Sequence, residues 1–366
     1  MKTSKRKSGI ELLRIIAIIQ IIFLHAYQYG GFGKAAADYL CGKEILVMSA
    51  YSLCRAPVDV FVMISGYFMI TSEFNIRKTL RRAKKPYEAM IFYSAAISLI
   101  FFIADPGLIT PPNVCKAFLP FLSRTWYFLD NYIIILLISP FLNKMLSSLS
   151  KRQYLYFLGV IFAVVSVWST LAHIDGINQV VSTKKILDQE YGKSLGGFLL
   201  MYITGGYLRL FVGDKKNGRE KPNLIYMGAF LALCMLDLAL YGFVPQYRHV
   251  FGMFDNPIVL CESACLILFF RDFKFSSSVI NLLASTTLGV YAIHEHYFMR
   301  KWIWSVLSFK DKSLFEGFIF IPAVMGGCLA VFICCSLTEL LRERCFSLIH
   351  EKISARKRKK AENRST

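Results

Sequence analysis

Three ionisable side chains interrupt the otherwise apolar run Glu11-Leu-Leu-Arg14-Ile-Ile-Ala-Ile-Ile-Gln-Ile-Ile-Phe-Leu-His25. At about 100° and 1.5 Å per residue, Arg14 and His25 fall within about 20° of one helical face and about 16 Å apart along it. Glu11, Arg14, Ile18, Ile21 and His25 therefore form one stripe. An imidazole can take up a proton or attack as a nucleophile, and a guanidinium clamps anions in two-point fashion. Charges inside a bilayer are costly enough to need a partner or a function. Taken singly, His25 reads as a helix-packing histidine and Arg14 as a snorkelling interfacial residue; sharing one stripe, they read as a site.

The element that must hold this stripe is a membrane span. The 366 residues are 55% hydrophobic, with a mean hydropathy of +0.47, and apolar runs recur throughout with short polar connections. That composition predicts an all-α, polytopic membrane protein. The spans are expected at 10–28, 46–71, 86–104, 126–146, 153–172, 195–213, 223–243, 254–271, 280–299 and 315–341, about ten in all. An even number puts both termini on one side. Assigning that side to the cytoplasm places roughly 30 of the 43 lysines and arginines inside, as the positive-inside rule requires. The net charge of +19 is thus a topological signal rather than a nucleic-acid footprint. The first span follows four basic residues and precedes Ala35-Ala36-Ala37, but cleavage there would discard the stripe. It is expected to stay as a signal anchor. Residues 1–345 are expected to form one integral-membrane domain and 346–366 a basic, disordered cytoplasmic tail.

Other chemistry-bearing residues cluster at predicted span ends. In the second span Arg55 and Asp59, four apart, can pair on one face, with Pro57 between them and Ser65-Gly66 beyond. Arg77, Lys78, Arg81, Arg82, Lys84 and Lys85 put six charges in nine residues at the inner surface. Such a patch binds lipid headgroups or a polyanionic cytosolic ligand. Trp126, Asp130 and Asn131 open the fourth span at its outer end, where aromatic anchors are expected and the acid can face a polar cavity. Asp237 and Glu262 are intramembrane acids without an obvious partner. Span nine carries Tyr291, His294, Glu295 and His296 at its outer end, followed by Arg300. Two residues apart on a helix, His294 and His296 diverge, which disfavours a chelating pair; no matching zinc ligands stand out. Most of the ten cysteines sit in apolar runs, while Cys41 and Cys115 share the outer side, where a disulfide between them would be allowed.

These residues carry a resemblance to the integral-membrane acyltransferase family 3, whose signature is an Arg and a His separated by ten residues in the first span. Arg14 and His25 match it. Val58-Asp59 through Ser65-Gly66-Tyr67 resembles the family's second span, and Arg77-Lys78-x-x-Arg81 its first inner loop. Thr125-Trp-Tyr-Phe, Ser139-Pro-Phe-Leu-Asn143 and Thr287 through His296 are similar to the branch that O-acetylates surface polysaccharides. The resemblance covers essentially the whole chain in order, and no attached soluble domain of the kind some relatives carry is seen.

What it implies is a multi-pass plasma-membrane O-acyltransferase moving an acyl group, usually acetyl from acetyl-CoA, to a hydroxyl of a cell-surface glycan or lipid-linked sugar. His25 and Arg14 would be catalytic, and Arg77, Lys78, Arg81 and Arg82 would bind the CoA phosphates. Glu11, Arg55, Asp59, Ser65, Trp126, Asp130, Tyr291, His294 and His296 would support the substrate or the site. No metal and no nucleic acid is expected; membrane lipids and a homodimer are. His25 would act as general base, or alternatively carry an acyl-imidazole. The rival reading of another class is a transporter or flippase, which would favour an inverted repeat that the sequence does not display.

Overall fold

The computed structural model describes residues 8–31, 33, 44–174, 176–181, 192–212, 223–243, 250, 253–309 and 319–362. Within them the regular structure is helical throughout. The helices are α1 (Ser8–Tyr29), α2 (Glu44–Leu53), α3 (Pro57–Met69), α4 (Ile76–Ala104), α5 (Pro111–Phe118) and α6 (Tyr127–Ser147). Then come α7 (Lys151–Leu171), with a π-turn at Ala163–Val167, α8 (Leu195–Phe211), α9 (Leu224–Phe243) and α10 (Pro257–Phe270). The last three are α11 (Ser278–His294), α12 (Tyr297–Val306) and α13 (Phe320–Glu362).

Among the described residues, six segments are long and apolar enough to cross a membrane: α1, the α2–α3 stretch Val47–Met69, α4, α6, α7 and the first part of α13, Phe320–Ile349. The other four predicted spans coincide with shorter apolar helices, α8 to α11. The protein is thus a helical membrane protein, and Leu99, Ile100 and Ile103 on α4 or Leu329, Ile333 and Leu337 on α13 are exposed as lipid-facing side chains would be.

Several boundaries differ from those read from the sequence, each for a local reason. The second span is interrupted: α2 stops at Leu53 and Pro57 starts α3 at its first turn, where a missing N–H costs nothing. The basic run is not a loop before the third span but its first turns. α4 begins at Ile76, capped by the Asn75 side chain accepting from the Lys78 N–H at 2.9 Å, and Pro86 lies inside it. Span nine ends at His294; Glu295 and His296 form a break, and His296 caps α12 by accepting from the Phe298 N–H at 3.3 Å. α13 runs on to Glu362, so the expected limit at 345/346 falls inside a helix and the tail is helical to that point. Cys41 and the hydrophilic segment 213–222 lie outside the described residues.

α1 is central, packed by α3, α10, α11, α12 and α13. Its apolar window is 67% buried, against 22% for α7, which lies at the periphery. The tightest helix pair is α3 with α8. A Cβ on Gly66 would strike the Tyr202 carbonyl and one on Gly205 the Met63 carbonyl, so two glycines let the backbones touch. Asn143 of α6 bridges the two helices: the Tyr202 hydroxyl of α8 donates to its Oδ1 at 2.7 Å, and its Nδ2 donates to the Met69 carbonyl of α3 at 2.7 Å. Besides α8, α3 also packs against α1.

Candidate active site

The register of α1 does what its spacing predicts: Glu11, Arg14, Ile18 and Ile21 all line one cavity of about 470 Å³. Arg14 NH1 donates to Glu11 Oε2 at 3.2 Å, one turn away, and the pair is only partly exposed. Arg81, Arg82, Lys85 and Pro86 of α4 stand at the same end of the stripe. Further along lie Phe61 and Ser65 of α3, Phe128, Tyr132 and Leu136 of α6, and Ser285, Thr287 and Tyr291 of α11. A cationic mouth leading into an aromatic interior suits a ligand with a polyanionic head and a thin, less polar arm.

Of the predicted donor-binding residues, Arg81 and Arg82 reach this wall. Arg77 and Lys78 are exposed on the first turn of α4 and do not. Lys85, absent from the set carried by the resemblance, joins the wall because four residues after Arg81 it returns to the same face.

The cavity follows α1 to Ile21, and His25 stands one turn further on. Its ring meets α11: His25 Nδ1 lies 3.0 Å from His294 Nε2, with ring centroids 5.1 Å apart. The other nitrogen of His294, Nδ1, is 2.6 Å from the Val290 carbonyl. A carbonyl only accepts, so that nitrogen carries the proton; in the neutral ring Nε2 is then bare and accepts from His25 Nδ1–H. The network thereby assigns the tautomer and leaves His25 Nε2 with a free lone pair, the position of a proton acceptor or nucleophile.

Glu295 adds charge beside this pair. Its Oε2 is 3.1 Å from His25 Nδ1, off the line of a hydrogen bond, while Oε1 accepts from Arg300 NH1 at 2.5 Å. Arg300 also lies 4.3 Å over the Tyr29 ring and donates to its hydroxyl at 3.3 Å. Glu295 and Arg300 were readable only as neighbours of the histidines. Their partner on α1 is some 270 residues away, and no local pattern signals it. The same closure creates what the sequence did not reveal, a ligand set: His25, His294 and Glu295 present donor atoms within 4.8 Å of one another, able to hold a metal ion. Arg300 argues for a proton relay instead, because its charge is already neutralised by the carboxylate a cation would need.

The remaining predicted residues separate. Ser65 lines the cavity and its hydroxyl lies 3.1 Å from that of Tyr132. Tyr291 lines it too, its ring against Phe128 at 5.2 Å and His294 at 6.0 Å. Trp126 and Asp130 are buried at the start of α6, and neither the indole N–H nor either carboxylate oxygen has a hydrogen-bond partner among the described residues. His296 belongs to a different set, stacked on Tyr297 at 4.4 Å and near Trp126 at 5.6 Å, with its Nε2 3.4 Å from Ser98 Oγ.

Arg55 does not pair with Asp59. It is buried and bonds both oxygens of Asp237 at 2.6 Å, with Ser52 donating to the same carboxylate at 3.1 Å. The four-residue rule fails because Arg55 lies in the break before α3 whereas Asp59 is inside it. Asp237 thus has a partner after all. Asp59 is buried with no hydrogen bond to either carboxylate oxygen among the described residues, and Glu262 is buried beside Cys234.

No curated protein and no solved structure matches the chain. A family model described as an acyltransferase domain matches residues 7–340, from the start of the α1 stripe through most of the apolar part of α13. The cationic mouth, the aromatic cavity and the histidine beyond it all lie inside that match, and the chain belongs to the acyltransferase 3 family of membrane acyltransferases.

Proposed function

We propose that the protein is an O-acyltransferase, and specifically an O-acetyltransferase, carrying acetyl from cytosolic acetyl-CoA to a hydroxyl of a cell-surface glycan or lipid-linked sugar. The observation that carries this reading is the cavity that runs along α1 from Arg14, Arg81, Arg82 and Lys85 towards His25. In this account the phosphates of CoA rest on the four cations, where guanidinium and ammonium groups meet phosphate best. Arg77 and Lys78 add to the attracting field from outside. The pantetheine arm follows the stripe, whose length from Arg14 to His25 is about 16 Å, of the same order as the extended arm.

The Arg14 end faces the cytosol of the cell whose plasma membrane holds the protein, and the acceptor arrives from the His25 end. There the bare Trp126 N–H and the Asp130 carboxylate supply hydrogen-bonding groups of the kind sugar hydroxyls satisfy. His25 Nε2 takes the proton of the attacking hydroxyl as the oxygen adds to the thioester carbonyl. It returns that proton to the departing thiolate of CoA. His294 holds the tautomer that keeps Nε2 free, and the Glu295 carboxylate stabilises the imidazolium that forms between the two transfers. A thioester is a ready leaving group, so positioning supplies much of the rate.

Membership in an acyltransferase family weighs against the transporter reading. Mass spectrometry of surface glycans from cells with and without the gene tests the function itself. A loss of one acyl mass from a defined sugar is expected; identical glycans would contradict it.

A further inference from the structure

Tyr291 combines three observations that the mechanism above leaves unused. It lines the cavity, its phenol oxygen is buried, and that hydroxyl has no hydrogen-bond partner among the described residues. A buried O–H without a partner is unfavourable, so its presence calls for an explanation. The position supplies one. Tyr291 is three residues before His294 on α11, its ring meeting that of His294 edge to face at 6.0 Å. Its other neighbour, Phe128, closes the aromatic end of the cavity at 5.2 Å. Tyr291 therefore stands between the cavity, whose wall it joins, and the histidine pair, close to where an acyl group delivered along α1 would meet His25.

We propose that the Tyr291 hydroxyl is the oxyanion donor of the acyl-transfer step, an inference that rests on the acyl-transfer reading above. As the acceptor oxygen bonds to the thioester carbon and its proton passes to His25 Nε2, the carbonyl oxygen gains the negative charge. The Tyr291 O–H donates a hydrogen bond to it and keeps its own proton throughout. When the carbon–sulfur bond breaks the carbonyl re-forms, the thiolate takes the proton back from His25, and ester and CoA leave. A neutral donor already fixed by its packing against Phe128 and His294 needs little reorientation at that moment, which is what makes such a contact effective.

The test uses membranes from cells expressing the full chain, supplied with radiolabelled acetyl-CoA, with alkali-labile label on the endogenous envelope glycan as readout. Tyr291→Phe keeps the ring and its packing and removes the hydroxyl alone. The expected result is a fall in kcat of about 100-fold or more, with KM for acetyl-CoA near the wild-type value. The thermal stability of the solubilised protein should be unchanged or raised. A wild-type kcat in Tyr291→Phe, or a defect confined to KM, would overturn the proposal while leaving the acyl-transfer reading intact. An acetyl adduct on Tyr291 would also overturn it, because a donor does not become a nucleophile. His25→Ala membranes that label as fast as wild type remove the acyl-transfer reading, and this inference with it.

Discussion

At the scale of single residues, the account turns on which nitrogen of His25 is free. His294 decides that, through its own bond to the Val290 carbonyl. Replacing His294 by Ala removes the acceptor for His25 Nδ1–H, and the ring can then turn or change tautomer. A loss of about 100-fold in transfer rate is expected, at the lower end of what a general base contributes. His294→Gln, whose amide oxygen can accept the same bond, should recover part of it; rates of labelled acetyl transfer check both. Because Arg300 already neutralises Glu295, the relay reading of His25, His294 and Glu295 also predicts that a chelator such as EDTA leaves the rate unchanged. Loss of activity restored by zinc would make the triad a metal centre. The α1 half of this site was legible because Glu11, Arg14 and His25 share one helix, and helical register is a local property. The α11 half was legible only as residue types. The contact of His25 with His294, and the role of Arg300 behind Glu295, are products of long-range packing.

At the scale of elements, the breaks matter as much as the helices. Pro57, between Arg55 and Asp59, can either kink a helix or start one. Starting one, it leaves Arg55 outside α3 and free to reach Asp237 on α9. Removing one partner of such a buried pair leaves an uncompensated charge, so Asp237→Asn or Arg55→Met should each cost about 3–5 kcal/mol. The double variant Arg55→Met/Asp237→Leu should restore most of the loss, and thermal unfolding in detergent measures all three. Sequence reading paired Arg55 with Asp59 because the four-residue rule assumes an unbroken helix. It ran span nine five residues too far in the same way, to 299 where the helix ends at His294, because apolar residues continue past Glu295 while the backbone turns. The α3–α8 seam was only half visible. Gly66 and Gly205 are visible in the sequence as small residues in apolar runs, but that each faces a carbonyl of the opposite helix needed the structure. Phe128 is an element-scale residue too, wedged among Phe61, Tyr132, Phe198 and Tyr291 at the head of the cavity. Shortening it to Ala should admit longer acyl groups, seen as a rise in kcat/KM for butyryl-CoA relative to acetyl-CoA.

At the scale of the whole molecule, α1 acts as an axis, with a cationic mouth at one end of its stripe and the histidine pair beyond the other. Composition was enough to predict a helical membrane protein. It was not enough to fix the number of crossings, because α8 to α11 are apolar yet short. The entrance predicts a graded charge effect: Arg81→Glu should raise KM for acetyl-CoA about tenfold or more, whereas Arg77→Glu, outside the cavity wall, should change it little. Both KM values should rise with salt, as screening weakens attraction to the mouth. The central claim is that acyl transfer passes through His25. Its most direct test compares membranes carrying wild-type protein and His25→Ala at equal protein level, scored by transfer of labelled acetyl from acetyl-CoA to the envelope glycan. The account predicts that transfer falls to background in the variant; undiminished transfer would contradict it.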